Sequence, residues 1–368
     1  MTHPETKRPT PNGLSPSDIP RVISWNTTFK CNLRCAHCYM SSDSQVELDE
    51  LSTEEGKMLI DQLSELSKPV LILSGGEPLM REDIFELAKY GTEKGLKMAM
   101  GTNGTLIDDE TAKKLAESGV RSVAISMDSA RPEVHDDFRG VKGAWERAIE
   151  GTKACQRNGI AVRFNTTVTQ QNFNEIEDIL ELADSLGLLD VQLFFLVPTG
   201  RGKEVEDITP EMYEQMIEDV LVKYADHPMT VKPTCAPQFM RIADQLGQDT
   251  SRWTRGCIAG MSYGRVYPQG DVTPCPYLPI KLGNIMEQSF ADIWTNSPIL
   301  KQLRDFDNLK GRCGLCEYKE KCGGCRARAY GMTTEFMDAC GSIHEPHELQ
   351  GDFLGEEPWC TYQPKGVE

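Results

Sequence analysis

The chain has 368 residues, of which 26% are charged, and its formal net charge is −17 at pH 7. A chain this acidic is poorly suited to bind nucleic acid or an anionic membrane surface. No apolar run approaches the roughly 18 residues of a membrane-spanning helix, and the first 20 residues are polar and rich in proline, so we expect a cytoplasmic protein.

Short apolar runs alternate with amphipathic stretches between about residues 21 and 226. This alternation is typical of repeated βα units around a parallel sheet. We predict six strands, near residues 21–28, 69–73, 96–101, 122–127, 161–168 and 191–197. Helices are predicted over residues 53–66, 82–94, 109–118, 144–158, 174–186 and 210–224. The sequence therefore predicts an α/β fold, a partial (β/α)6 barrel of the TIM type.

Polar or glycine-rich residues follow each predicted strand. In barrels of parallel strands, the C-terminal strand ends carry the chemistry. The six endings are residues 31–38, 74–78, 102–104, 126–129, 165–167 and 198–202. We therefore expect them to meet at one rim and to form one site.

The first ending contains Cys31, Cys35 and Cys38, in the spacing C-x3-C-x2-C. Three thiolates on one loop could hold three irons of a [4Fe–4S] cluster and leave the fourth iron open for another ligand. The alternative is a zinc site with His37 as its fourth ligand.

The second ending has two consecutive glycines before a carboxylate, in the order Gly75, Gly76, Glu77 and Pro78. Backbone groups without a Cβ in the way, next to a carboxylate, suit a ligand that carries both an ammonium and a carboxylate. The alternative is a plain tight turn.

Four further strand-end side chains are candidates for the same site. Ser126 and Asp128 could bind ribose hydroxyls, although Asp128 could instead cap a helix. Asn103 and Asn165 could bond to adenosine or to a substrate.

The character of the sequence changes after residue 226, where nine of the thirteen cysteines follow. A reducing cytoplasm does not maintain structural disulfides, so the odd number and close spacing of cysteines favour metal or cluster ligation. We predict a flexible segment over residues 1–20, a barrel over 21–226, a linker over 227–255 and a cysteine-rich domain with a tail over 256–368.

The cysteine-rich domain combines two motifs and a final cysteine. Cys257, Gly270 and Cys275 have the spacing C-x12-G-x4-C, which suggests a hairpin with a ligand on each arm. The second motif has the spacing C-x2-C-x5-C-x2-C and comprises Cys313, Cys316, Cys322 and Cys325, followed later by Cys360. Zinc ribbons are the alternative for this domain.

The three-cysteine motif, with the aromatic His37 before its last cysteine and Gly75–Pro78 about 37 residues later, resembles the radical S-adenosylmethionine superfamily. The resemblance implies an anaerobic enzyme whose [4Fe–4S] cluster binds S-adenosylmethionine at its open iron. One electron, from a low-potential donor such as ferredoxin or flavodoxin, then generates a 5′-deoxyadenosyl radical that abstracts a substrate hydrogen.

The C-terminal cysteines resemble the SPASM module, which implies two auxiliary [4Fe–4S] clusters. One set would be Cys313, Cys316, Cys322 and Cys360, and the other would include Cys257, Cys275 and Cys325. The second set lacks one ligand, because no further cysteine follows Cys257 closely, and the spacing before Cys325 is x2 where x3 is usual. Cys235 is our candidate for the missing thiolate, unless it contacts substrate or is inert. Cys155 is expected to pack in a helix.

Segments 193–202, 232–239, 313–316, 322–330 and 357–360 resemble tetrapyrrole-modifying members of this superfamily, above all the heme synthases of the siroheme-dependent pathway. That resemblance implies oxidative decarboxylation of two propionates of iron-coproporphyrin III to vinyl groups, giving heme b. Related acetate removal, heme d1 formation and peptide modification are the alternatives. Cations would have to bind the propionates. The candidates, each of which could instead be solvated at the surface, are Arg139, Arg163, Arg201 and Lys232.

Overall fold

The structure, a computed structural model, describes residue 15 and residues 18–45, 48–251, 253–333 and 343–365. Most of the predicted flexible segment 1–20 therefore lies outside the described residues, as does Cys340. Within the described ranges, no helix combines the length and hydropathy that crossing a bilayer requires.

One ten-stranded sheet organises the described part of the chain, in the order β10-β9-β8-β1-β2-β3-β4-β5-β6-β7. Strands β1 to β8 pair in parallel, and only β9 and β10 are antiparallel to their neighbours. The strands are Val22–Asn26, Val70–Ser74, Lys97–Thr102, Val120–Ser126, Ala161–Val168, Asp190–Phe195, Thr230–Thr234, Tyr263–Val266, Asp271–Thr273 and Gly283–Asn284. The predicted α/β class with a barrel-type parallel sheet is confirmed.

Helices alternate with the barrel strands. Helices α1 to α7 are Thr53–Leu66, Ile84–Glu93, Asp109–Glu117, Pro132–Arg139, Ala144–Arg157, Ile176–Ser185 and Pro210–Lys223. The C-terminal half adds α8 to α12, which are Phe239–Gln245, Phe290–Asn296, Pro298–Arg304, Gly311–Leu315 and Arg326–Gly331. Ser52 caps α1 through a capping box with Glu55, which satisfies amide groups at the start of the helix. Helix α4 was not predicted, and it lies in the loop that follows β4.

Two parallel strands extend the sheet beyond the predicted six. Strand β7 and helix α8 occupy much of the stretch that was predicted as a linker, and β8 comes from the cysteine-rich region but pairs with β1. Strand β7 was missed because its sequence, TVKPT, contains a lysine and a proline. Pro233 has no N–H to donate, and it is accommodated because β7 lies at the edge of the sheet.

Alternate residues of the barrel strands face two environments. Trp25 of β1 points outward to α1, where a Cβ added to Gly56 would lie only 2.6 Å from its ring. Because side chains alternate along a strand, Ser24 and Asn26 therefore face the barrel interior.

A polar row crosses four neighbouring strands at one level of the barrel. The register pairs Ser126 with Asn165, Asn165 with Gln192, and Gln192 with Lys232. All four side chains are partly buried, whereas the residues that alternate with them along these strands are buried. We call these four residues the polar row.

Candidate functional site

The loop over residues 31–38, the three-cysteine loop, leaves the C-terminal end of β1 and brings its three thiols together. Burial raises the pKa of Cys31 to about 12, and the neighbouring Cys35 and Cys38 add to this effect. Burial raises the pKa of Cys35 as well, against the guanidinium of Arg139. Thiols whose pKa values are raised in this way stay protonated. Iron ions would therefore have to displace the thiol protons in order to bind the sulfur atoms.

Hydrogen-bond donors are already aimed at two of these sulfur atoms. The backbone N–H of Leu33 donates to Cys31 Sγ at 3.4 Å, and a guanidinium N–H of Arg139 donates to Cys35 Sγ at 3.6 Å. Donors of this kind stabilise negative charge on cluster-bound sulfur. The loop therefore suits thiolates that ligate a cluster.

Helix α4 ends against the three-cysteine loop. The backbone carbonyls of Phe138 and Arg139 accept from the N–H groups of Ala36, at 3.0 Å, and Arg34, at 3.2 Å. The next residue, Gly140, has φ +72°, and a Cβ there would lie 2.6 Å from the carbonyl oxygen of Arg34. The end of α4 thus fixes the path of the loop.

Two of the four predicted substrate cations have other partners. Arg139 is buried and forms an ion pair with Asp128 while it donates to Cys35. Arg201 donates to the carbonyl oxygens of Cys35 and Ser42, both at 3.0 Å. Both arginines therefore hold the three-cysteine loop. Asp128 also accepts from Thr167 N at 2.8 Å, so its carboxylate is committed within the protein.

The two glycines of the second ending allow a close backbone approach. Gly76 N donates to Thr28 O and Glu77 N donates to Lys30 O, both at 2.8 Å. A Cβ on Gly76 would lie 2.3 Å from Lys30 O, and one on Gly75, whose φ is +144°, would lie 2.6 Å from Thr28 O. Only glycines let this segment run beside the chain that leads into Cys31.

The carboxylate of Glu77 holds the end of β3. It is buried and accepts from Thr102 Oγ1 at 2.8 Å, from Asn103 N at 2.9 Å and from Leu79 N at 3.2 Å. Burial raises its pKa to about 7. The side chain of Asn103 donates to Asn32 Oδ1 of the three-cysteine loop at 2.8 Å. Glu77 and Asn103 were both predicted to bind the ligand, and in this structure their side chains support the three-cysteine loop. Pro78 begins a 3-10 turn.

Two buried polar atoms at the same rim fit an adenosine-containing ligand. Asn165 Oδ1, in the polar row beside Ser126, has no hydrogen-bond partner among the residues that the structure describes, and the same holds for His37 Nδ1. The His37 ring stacks on Phe138 with centroids 4.5 Å apart. Buried atoms without partners are costly unless a ligand satisfies them.

A first C-terminal group of thiols lines a cavity of about 460 Å³, including its open mouth; the four cysteines are Cys313, Cys316, Cys322 and Cys360. Gln238, which is 1% exposed, also lines this cavity, and neither polar atom of its amide has a partner in the described part of the chain. Cys313 Sγ accepts from Glu357 N at 3.3 Å and from Arg326 at 3.6 Å. The cavity therefore fits a cluster with four thiolate ligands.

A second thiol group contains Cys235, Cys257, Cys275 and Cys325. Burial raises the pKa of Cys235, and the neighbouring Cys325, Cys275 and Cys257 raise it further. Cys235 has a left-handed backbone with φ +57°, and its carbonyl accepts from Tyr213 Oη at 2.9 Å and from Arg328 at 3.3 Å. Among the described residues, no three His, Cys, Asp or Glu side chains converge on a site for a single metal ion.

A buried ion pair connects the two C-terminal thiol groups. Arg328, which is 0% exposed, lies 3.1 Å from Glu357. Glu357 accepts from Cys325 N of the second group at 2.6 Å, while its own N–H donates to Cys313 of the first. Both residues lie in segments whose resemblance predicts no such pairing, because only the fold brings Arg328 and Glu357 together.

The remaining predicted cations lie in the barrel. Arg163 is 3.6 Å from Asp190, and Lys232 belongs to the polar row. Burial lowers the pKa of Lys232, and the nearby Asp190 opposes that effect.

Comparisons with known proteins agree with this site. The model of the radical SAM superfamily matches residues 25–183, and that of an iron–sulfur cluster-binding domain matches residues 257–326. An AdoMet-dependent heme synthase of Methanosarcina barkeri is 41% identical over 95% of this chain and 99% of its own length. An Fe-coproporphyrin III synthase of the same organism is 34% identical over 82% of each chain. The crystal structure of Streptococcus suis SuiB bound to S-adenosylmethionine covers 88% of this chain and 78% of its own, with a TM-score of 0.69 at 18% identity, which shows a shared fold.

Replacing Gly76 by alanine should disrupt the three-cysteine loop, because the added Cβ would collide with the Lys30 carbonyl. We expect the anaerobically reconstituted variant to bind about four fewer irons per chain than the wild type, one cluster's worth. Gly331→Ala is the control, since a Cβ there meets nothing closer than 3.8 Å. Equal iron content in both variants and the wild type would refute the expectation.

Glu77 should leave a signature in the pH dependence of stability. Because folding raises its pKa from 4.5 to about 7, folding favours the protonated carboxyl. That contribution is complete below pH 4.5 and is lost as the pH rises to about 7. We expect the thermal midpoint of the cluster-free wild type, relative to that of Glu77→Gln, to fall across this window. Scanning fluorimetry at a series of pH values measures the difference, and parallel curves for the two proteins would contradict the assignment.

Proposed function

The chain belongs to the radical SAM superfamily, and on that premise we propose that it acts as an S-adenosylmethionine-dependent heme synthase on iron-coproporphyrin III. The observation that carries this proposal is the 41% identity, over nearly the whole of both chains, to a relative with that name. The reaction converts two propionate side chains to vinyl groups, and each conversion releases carbon dioxide and removes one hydrogen atom and one electron.

The cofactors are a [4Fe–4S] cluster with S-adenosylmethionine and auxiliary iron–sulfur clusters. Their ligands form three sets, of which the first is Cys31, Cys35 and Cys38. The two auxiliary sets are Cys313, Cys316, Cys322 and Cys360, and Cys235, Cys257, Cys275 and Cys325. When bound, these groups supply hydrogen-atom abstraction at an unactivated carbon and sites that can take up the released electron.

The protein positions these reactants through its own side chains. Asn165 and Ser126 would bind S-adenosylmethionine at one end of the polar row, while Gln192 and Lys232 would face the substrate at the other end. Arg139, Arg201, Glu77 and Asn103 keep the three-cysteine loop in place. The order along the row supports a cofactor and a substrate that lie side by side within one barrel.

The setting of the enzyme is also part of the proposal. A ferredoxin or flavodoxin in the cytoplasm supplies the electron that starts each turnover. The cluster that receives this electron would be bound by the three-cysteine loop. The donor protein must therefore deliver its electron near that loop.

Anaerobic incubation of the reconstituted enzyme with S-adenosylmethionine, a strong reductant and iron-coproporphyrin III tests the function directly. We expect mass analysis to show two successive steps. In each step one propionic acid side chain loses carbon dioxide and two hydrogens, one from the side chain and one from its carboxyl group. Porphyrin that stays unchanged while 5′-deoxyadenosine accumulates would overturn the proposal.

The same assay separates the related activities. The Fe-coproporphyrin III synthase among the relatives makes removal of acetate side chains the second candidate. An iron tetrapyrrole that still carries acetate as well as propionate side chains is therefore offered as an alternative substrate. Loss of whole acetate side chains from this macrocycle, with iron-coproporphyrin III left unchanged, would assign the chain to acetate removal.

Replacing Cys235 by alanine should remove one auxiliary cluster or make it labile, because its thiol lies among Cys257, Cys275 and Cys325. The wild type is expected to hold about twelve irons per chain in three clusters, and the variant about eight. Cys155→Ala is the matched control, since Cys155 is buried in α5 away from the three thiol groups. Unchanged iron content, sulfide content and paramagnetic resonance spectrum in the Cys235 variant would exclude it as a ligand.

A further inference from the structure

Arg265 is a buried cation that faces the barrel interior. It lies on β8, and register pairs it with Ser24, whose side chain also points inward. The preceding residue, Gly264, faces the opposite side, where an added Cβ would meet the ring of Trp294 at 2.6 Å. Arg265 is 3% exposed, and it lies one residue before the C-terminal end of its strand, on the same side of the sheet as the three-cysteine loop.

Tyrosines surround this guanidinium, and no acid does. It lies 4.6 Å from the ring centroid of Tyr39 and 5.4 Å from that of Tyr267, and it donates to the Tyr39 hydroxyl. No ion pair joins Arg265 to an Asp or Glu in the described ranges, where its titratable neighbours are tyrosines, and its Nε has no hydrogen-bond partner there. Every other arginine of the structure that is equally buried, such as Arg139 or Arg328, pairs with a carboxylate or donates to backbone carbonyls.

Tyr39 and Tyr267, which we call the tyrosine cage, lie around the Arg265 guanidinium. The position of this cage in the barrel is a second observation that bears on its role. Tyr39 directly follows Cys38, and its ring contacts that of Tyr277 at 5.5 Å. Burial raises the pKa of Tyr277, and the nearby Cys235 and Tyr39 contribute to that shift. The cage therefore spans the space between the three-cysteine loop and the second thiol group.

A cation buried without a counter-ion destabilises the folded chain unless an anion joins it. A guanidinium fork matches a carboxylate, and aromatic rings beside it offer a surface on which a flat macrocycle can pack. We propose that Arg265 binds a propionate carboxylate of the tetrapyrrole and so anchors the substrate between the three-cysteine loop and the second thiol group. This inference rests on the proposed function and names a residue that orients its substrate.

Anaerobic absorbance titrations of the reconstituted protein test the proposal with two macrocycles, iron-coproporphyrin III and its tetramethyl ester, which has no charged carboxylate. Arg265→Gln should raise the Kd of the free acid by about 10- to 100-fold, the usual effect of losing a hydrogen bond between charged groups, and leave that of the ester nearly unchanged. Arg304→Gln is the control, because Arg304 stacks on Trp294 and donates to backbone carbonyls outside the barrel.

The thermal midpoint of the ligand-free protein provides a second readout. Removing a cation that has no counter-ion should leave this midpoint unchanged or raise it in Arg265→Gln, whereas an arginine with a purely structural role would lower it. Iron-coproporphyrin III should then raise the midpoint of the variant less than that of the wild type.

The outcomes distinguish the two proposals. A wild type that binds neither macrocycle overturns the heme synthase function and the anchor with it. A wild type that binds the acid, with an Arg265→Gln variant that still prefers acid over ester to the same degree, overturns the anchor alone. If the glutamine variant does not retain its iron, Arg265→Met takes its place, and a preference for acid over ester equal to that of the wild type overturns the anchor.

Discussion

Two backbone hydrogen bonds, from Gly76 to Thr28 and from Glu77 to Lys30, set the geometry on which the site depends. They hold the chain that enters the three-cysteine loop against the end of β2 at a distance that no side chain would permit. From there Glu77 carries the constraint to β3. Arg139 and Arg201 hold the other side of the loop, so its position is determined by residues from four separate parts of the barrel. A cluster would bind here to a preformed site, because the loop that carries its ligands is already ordered and little further conformational entropy is lost on binding.

The sequence predicted what local patterns encode and missed what the fold alone brings together. Helix α1 and strand β5 have the predicted bounds, since capping and alternation are local signals. Strand β7 was not predicted, because a proline such as Pro233 argues against a strand unless that strand is known to lie at the edge of the sheet. Arg139 was placed with the substrate because a buried arginine and a surface arginine look alike in a sequence. Its partner Cys35 is 104 residues away, and no spacing rule connects the two.

The two halves of the chain form one structure around the barrel. Strand β8 comes from the cysteine-rich half and pairs with β1 of the barrel, and Trp294 packs against that junction. Arg328 donates to the carbonyl of Leu196 at 2.8 Å as well as to that of Cys235, so the ion pair that links the C-terminal thiol groups is also tied to the end of β6. A shift of either half would therefore move both the thiols and the barrel strands.

The pairing of β1 with β8 also constrains how the molecule is made. The ribosome releases β1 first, yet one edge of that strand stays open until more than two hundred further residues have been synthesised. During this interval the nascent barrel exposes hydrogen-bonding groups that another chain could capture. The first strand of this chain is therefore open to mispairing for longer during synthesis than a first strand whose two neighbours both follow it closely in the sequence.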